Sequence, residues 1–126
     1  MDLKRNKFGE SLIYEETVSP NENYVSYDEE KVFYTIRVYK KENNIIVKSS
    51  SNTPFAKELQ YEINSDKDIT KDNIKIEWTT LMGDTNFTKE NQIGIAIVTL
   101  SYDEIFSQRK ISFVSNAIDV IVDTIK

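Results

Sequence analysis

The chain has 126 residues, a formal net charge of −5, and neither Cys nor His. That length suits one domain around a single core. The missing residue types remove disulfides, thiol chemistry, His-based triads and the commonest zinc, haem and iron–sulfur ligands.

Any catalysis would fall to carboxylates, Lys, Tyr or hydroxyls, so the composition points away from an enzyme and calls for no cofactor. The three glycines, Gly9, Gly83 and Gly94, form no phosphate-binding loop. Residues 1–126 read as a single domain, with 1–10 a loose and mildly basic start (Lys4, Arg5, Lys7). No apolar run follows those basic residues, as a secretory signal would require. The longest uncharged stretch, Asn91 to Tyr102, is twelve residues, too short to span a bilayer. A cytoplasmic protein without a membrane segment is the expectation.

Charge is distributed unevenly. Between residues 8 and 30 there are seven acids (Glu10, Glu15, Glu16, Glu22, Asp28, Glu29, Glu30) and no Lys or Arg, so the remainder of the chain sums to +2. Within this segment Leu12-Ile13-Tyr14 and Thr17-Val18 suggest a short strand, Ser19 to Asn23 a turn, and Tyr24, Val25 and Tyr27 a further extended piece.

From Lys31, KVFYTIRVYK alternates strong β formers and reads as a strand. Lys41-Glu42-Asn43-Asn44 supplies a turn, and Ile45 to Ser49 returns as the partner strand. This hairpin is basic (Lys31, Arg37, Lys40, Lys41, Lys48 against Glu42). It complements the acidic segment before it.

After a polar loop at Ser49 to Asn52, Thr53-Pro54 has the form of a helix N-terminus. Phe55, Leu59 and Ile63 then follow at i, i+4, i+8, which predicts a short helix ending near Asn64. Residues 65–72 form a charged loop. Asp66, Asp68, Thr70, Asp72 and Glu77 match the ligand spacing of a calcium loop, but Lys71 stands where that loop needs glycine, so a solvated loop is the better reading.

Asn73 to Leu81 reads as a half-buried strand with Ile74, Ile76 and Trp78 on one face. Gln92 to Tyr102 is apolar on both faces and belongs at the centre of a sheet. Gly94 and Ala96 lie on the same face of it and leave room for a bulky neighbour. Finally, Ser101 to Lys126 predicts a long closing helix. On a helical wheel Phe106, Phe113, Val114, Ala117, Ile118, Val120, Ile121, Val122 and Ile125 share an apolar arc of about 200°, twice what packing on one sheet needs. Ser101 and Glu104 have capping-box spacing.

The expected fold is therefore α+β and two-layered: a mostly antiparallel sheet of four or five strands, with a short middle helix and a long C-terminal helix packed on it. The expected function is a non-enzymatic protein-interaction module, such as an inhibitor, immunity or accessory protein. Its acidic segment would meet a basic partner through Tyr14, Glu15, Glu16, Tyr24, Tyr27, Asp28, Glu29 and Glu30. The competing reading lays the same acids on the chain's own basic hairpin. Two further alternatives are a small apolar ligand held between the sheet and the C-terminal helix, and a homodimer formed through that helix or a sheet edge. The overall negative charge argues against nucleic acid.

Overall fold

Period-two alternation, more than any helical pattern, organises the protein. A computed structural model describes residues 9–19, 33–52, 58–65, 67–80, 94–103, 105–113 and 117–124. Eight strands run in order: β1 (Ser11–Val18), β2 (Tyr34–Lys41), β3 (Asn44–Ser51), β4 (Leu59–Asn64), β5 (Ile74–Thr80), β6 (Gly94–Tyr102), β7 (Ile105–Ser112) and β8 (Ala117–Thr124). The first four form one antiparallel sheet and the last four another, each in sequential order. A 3₁₀ turn, Lys71–Asn73, precedes β5 and is closed by Thr70 and Asn73 as a capping box. Among the described residues no helix is long and apolar enough to cross a membrane.

The two sheets face each other across one core. Ile36 and Val38 of β2, Ile45 and Val47 of β3 and Ile63 of β4 pack with Ala96, Val98 and Leu100 of β6 and Ile105 and Ile111 of β7. At one end Tyr34 stacks on Phe113 with ring centroids 4.4 Å apart, and Trp78 lies 6.1 Å from Phe113. At the other end Ile69, from the loop before the 3₁₀ turn, is 3% exposed and joins the core. The space expected beside Gly94 is filled by the Tyr34 ring, which a Cβ at Gly94 would meet at 2.5 Å.

The expected α+β architecture is overturned by this pairing. Where it is described, Ser101 to Lys126 forms strands and not a helix: its first two residues end β6, and β7 and β8 follow as an antiparallel pair. Nine of its 26 residues are β-branched, which disfavours helix and favours strand. The excessive width of the apolar arc was the sign of a wrong period. The middle helix is also replaced where it is described, because Leu59–Asn64 is β4, paired to β3. Its expected N-terminus at Thr53-Pro54 lies outside the described residues. Leu59 and Ile63 are separated by four, a spacing that brings side chains to one face in a helix and in a strand alike. With the C-terminal helix gone, both a ligand cavity beneath it and a dimer through it lose their basis.

The remaining strands fall close to their expected places. β6 is an inner strand of its sheet, as its two apolar faces required. The turn at Lys41 to Asn44 is a two-residue hairpin loop, with Glu42 at φ 52. Tyr102 likewise pairs with Ile105, and Asp103 after it has φ 51. Such turns need a left-handed first residue to match strand twist.

Candidate functional site

Three polar constellations interrupt the apolar packing, and each is set by strand register. The first lies on β1, where a bulge between Leu12 and Tyr14 resets the alternation. Beyond it Tyr14, Glu16 and Val18 turn inward while Glu15 and Thr17 face solvent. The Tyr14 hydroxyl donates to Glu16 Oε1 at 2.5 Å, and Trp78 Nε1 donates to Glu16 Oε2 at 2.6 Å. Glu16 thus ties β1 of one sheet to β5 of the other. On the outer face Glu15 pairs with Arg37 of β2, both about 42% exposed, and Thr17 shares a hydrogen bond with Thr35 at 2.9 Å.

Of the eight residues expected to contact a partner, Tyr14, Glu15 and Glu16 are thus placed together on β1, and all three are already engaged within the chain. Tyr24, Tyr27, Asp28, Glu29 and Glu30 lie outside the described residues. Where it is described, the acidic segment lies on the basic hairpin, as the competing reading held.

The second constellation closes the opposite side of the sandwich. Ser107, Arg109 and Ile111 alternate onto the inner face of β7, which buries Arg109 to 8% exposure. Its Nη1 donates to Ser107 Oγ at 3.0 Å and its Nη2 to Asp123 Oδ2 of β8 at 2.8 Å. The guanidinium also sits 5.1 Å from the ring centroid of Tyr61 on β4, a cation–π contact between the sheets. Burial pushes the Tyr61 hydroxyl well above the usual tyrosine range; Asp123 adds to the shift and Arg109 opposes it. That hydroxyl is buried and finds no hydrogen-bond partner among the described residues.

The third is a depression of about 430 Å³ on the outer face of the first sheet. Its floor is Ile46, 2% exposed although it points away from the core. One row of side chains crosses the sheet there, Leu12–Tyr39–Ile46–Glu62. Lys48 reaches along the sheet so that its ammonium lies 4.9 Å from the Tyr39 ring centroid and 2.8 Å from Glu10 Oε1. Lys41 and Glu42 stand at the hairpin tip beside it, and Gln60 and Glu62 wall it on β4.

Among the described residues no three carboxylates gather where they could hold a metal ion. The sequence reading missed Arg109, Asp123 and Tyr61 because it placed the first two on a helix and Tyr61 within another. Only a period-two reading of Ile105 to Phe113 would have brought Arg109 inward.

β8 adds a feature of a different kind. It is an edge strand, and Val120, Ile121 and Val122 are 66%, 43% and 39% exposed, with Phe106 of β7 at 39%. Compared with protein-family models, with curated proteins and with solved structures, the chain matches none.

Proposed function

We propose that this chain is a non-enzymatic protein-interaction module, acting in the cytosol as an inhibitor, immunity or accessory protein, that meets a basic partner protein along β8. The observation that carries this reading is the exposure of three consecutive apolar residues, Val120, Ile121 and Val122, on that strand. The pairing sets Val120 on the Arg109 side of the sheet and Val122 on the Gln108 side, so this edge offers apolar surface on both sides, and exposed apolar surface marks a protein contact.

The same edge is guarded against its own copies. Ile121 is an extra residue where the pairing shifts between Gln108 and Arg109, and such a bulge interrupts the straight run that strand addition needs. The register that would pack Val120 on Ile118 of a second copy also sets Asp119 opposite Asp119, and facing like charges are destabilising. A basic partner avoids that conflict. The Asp119 side chain is 62% exposed, and its pair with Lys110 at 3.3 Å is solvent-exposed and so weak, leaving the carboxylate able to take a partner's cation. The net charge of −5 steers such an encounter. Tyr24, Tyr27, Asp28, Glu29 and Glu30 remain proposed contacts to the same partner; Tyr14, Glu15 and Glu16, engaged within the chain, drop out. The absence of Cys and His supports the non-enzymatic part.

A photo-crosslinking residue placed at Ile121 tests the reading. It should capture a basic protein, and the Val120→Lys/Ile121→Lys variant should lose that capture with its thermal transition unchanged. Crosslinks to other copies of the chain alone, or capture indifferent to the variant, would refute it.

A further inference from the structure

We propose that the depression on the outer face of the first sheet is a binding site for a small zwitterion of the free amino-acid class, independent of the β8 surface. The volume of about 430 Å³ is in the range of small-molecule sites. Its floor is apolar and its walls carry opposite charges on opposite sides. Lys41 rises from β2 and Glu62 from β4, with Asn44 and Ile46 of β3 between them. Neighbouring strands lie about 4.8 Å apart and a strand rises about 3.4 Å per residue; Glu62 is two residues along β4 from Asn64, which stands across from Lys41, so the backbones bearing the two charges are about 12 Å apart. Their side chains, reaching over β3, leave a gap suited to one compact dipolar molecule.

Of the other charges near the floor, Lys48 and Glu10 are matched to each other, and Glu42 stands at the hairpin tip. Lys48 and Glu10 pair at 2.8 Å with side-chain exposures of 24% and 7%, which fixes one wall and neutralises it. Lys41 and Glu62, by contrast, have no ion-pair partner among the described residues. Glu62 Oε2 accepts from Asn44 Nδ2 at 3.2 Å, and Asn44 Oδ1 accepts from Asn64 Nδ2 at 3.2 Å. This chain of amides holds the Glu62 carboxylate in place without cancelling its charge. A ligand carboxylate therefore faces Lys41, its ammonium faces Glu62, and its apolar body rests on Ile46, while the Gln60 amide supplies a further polar contact.

Leucine, leucinamide and N-acetyl-leucine separate the two charges. In backbone amide NMR, leucine should shift Asn44, Ile46, Gln60 and Glu62, and each derivative lacking one charge should bind about tenfold more weakly. Lys41→Gln should erase the preference for leucine over leucinamide, and Glu62→Gln the preference for leucine over N-acetyl-leucine. Thermal melts of both variants check that they fold. Equal binding of all three compounds, binding of leucinamide as tightly as leucine, shifts located elsewhere, or no shift with any of the twenty free amino acids would overturn the proposal.

Discussion

Gly94 shows how much a single residue settles in this fold. Its missing side chain lets the Tyr34 ring lie against β6, with Cδ2 and Cε2 2.5 and 2.6 Å from where a Cβ would stand. That ring cannot move aside freely, because it is stacked on Phe113. Gly94→Ala should therefore cost about 1–3 kcal/mol, as overpacking of a filled core does. Urea denaturation measures it, and the penalty should largely vanish in a Tyr34→Leu background, since the two positions are in contact. Unchanged stability of Gly94→Ala in the native background would mean that the ring yields. The need for space at Gly94 was legible in the sequence; the identity of its neighbour, 60 positions earlier, was not.

At the scale of elements, the sandwich is tied at each lateral opening by one charged residue turned inward. Glu16 links β1 to β5, and Arg109 links β7 and β8 to the Tyr61 ring on β4. Glu16→Leu leaves the Trp78 indole N–H and the Tyr14 hydroxyl without their acceptor, at a cost of about 1–3 kcal/mol. Glu16→Gln keeps an acceptor oxygen and should lose distinctly less. Equal losses for the two variants, read by chemical denaturation, would show that packing rather than hydrogen bonding holds that side.

These inward charges also explain why β7 was misread. Its buried face carries Ser107 and Arg109 while its outer face carries Phe106, so the alternation of Ile105 to Phe113 is scrambled just where strand recognition depends on it. β2 has no such inversion at Ile36 and Val38 and was legible. For β8, Val120 to Val122 are apolar without a break, and a continuous apolar run fits a helix or a strand equally well.

For the molecule as a whole, the tyrosines predict a one-sided pH response. The Tyr14 hydroxyl is raised above 10.0 chiefly by its hydrogen bond to Glu16. Burial raises Tyr34, against a backbone hydrogen bond at Gly94, and burial raises Tyr61 further still. Each group holds its proton more tightly folded than unfolded. Their contribution to stability is therefore fully present below pH 10 and is lost as the pH rises past that value through the raised ones. Thermal melts across pH 8 to 12, read beside tyrosinate absorbance, should show a fall confined to the alkaline side. Tyr61→Phe should make that fall shallower at little cost near neutrality, since its hydroxyl is buried with no hydrogen-bond partner among the described residues. A variant that melts along the native curve throughout would contradict the assignment.

The sequence by itself determined the first hairpin, the inner position of β6, the strand at β5, the small-residue face at Gly94 and the concentration of acids between residues 8 and 30. Each of these rests on local alternation, turn chemistry or composition. Only the tertiary structure decided that the C-terminal stretch is two strands instead of a helix. It also decided that Glu16 and Arg109 face inward, and that Val120 stays exposed while Phe113 is buried. The physical reason is the same throughout. Which face of a strand is buried depends on a partner sheet far away in sequence, and a buried charge is tolerated only where register brings it a counter-charge or donors. A helical wheel drawn on one segment contains neither.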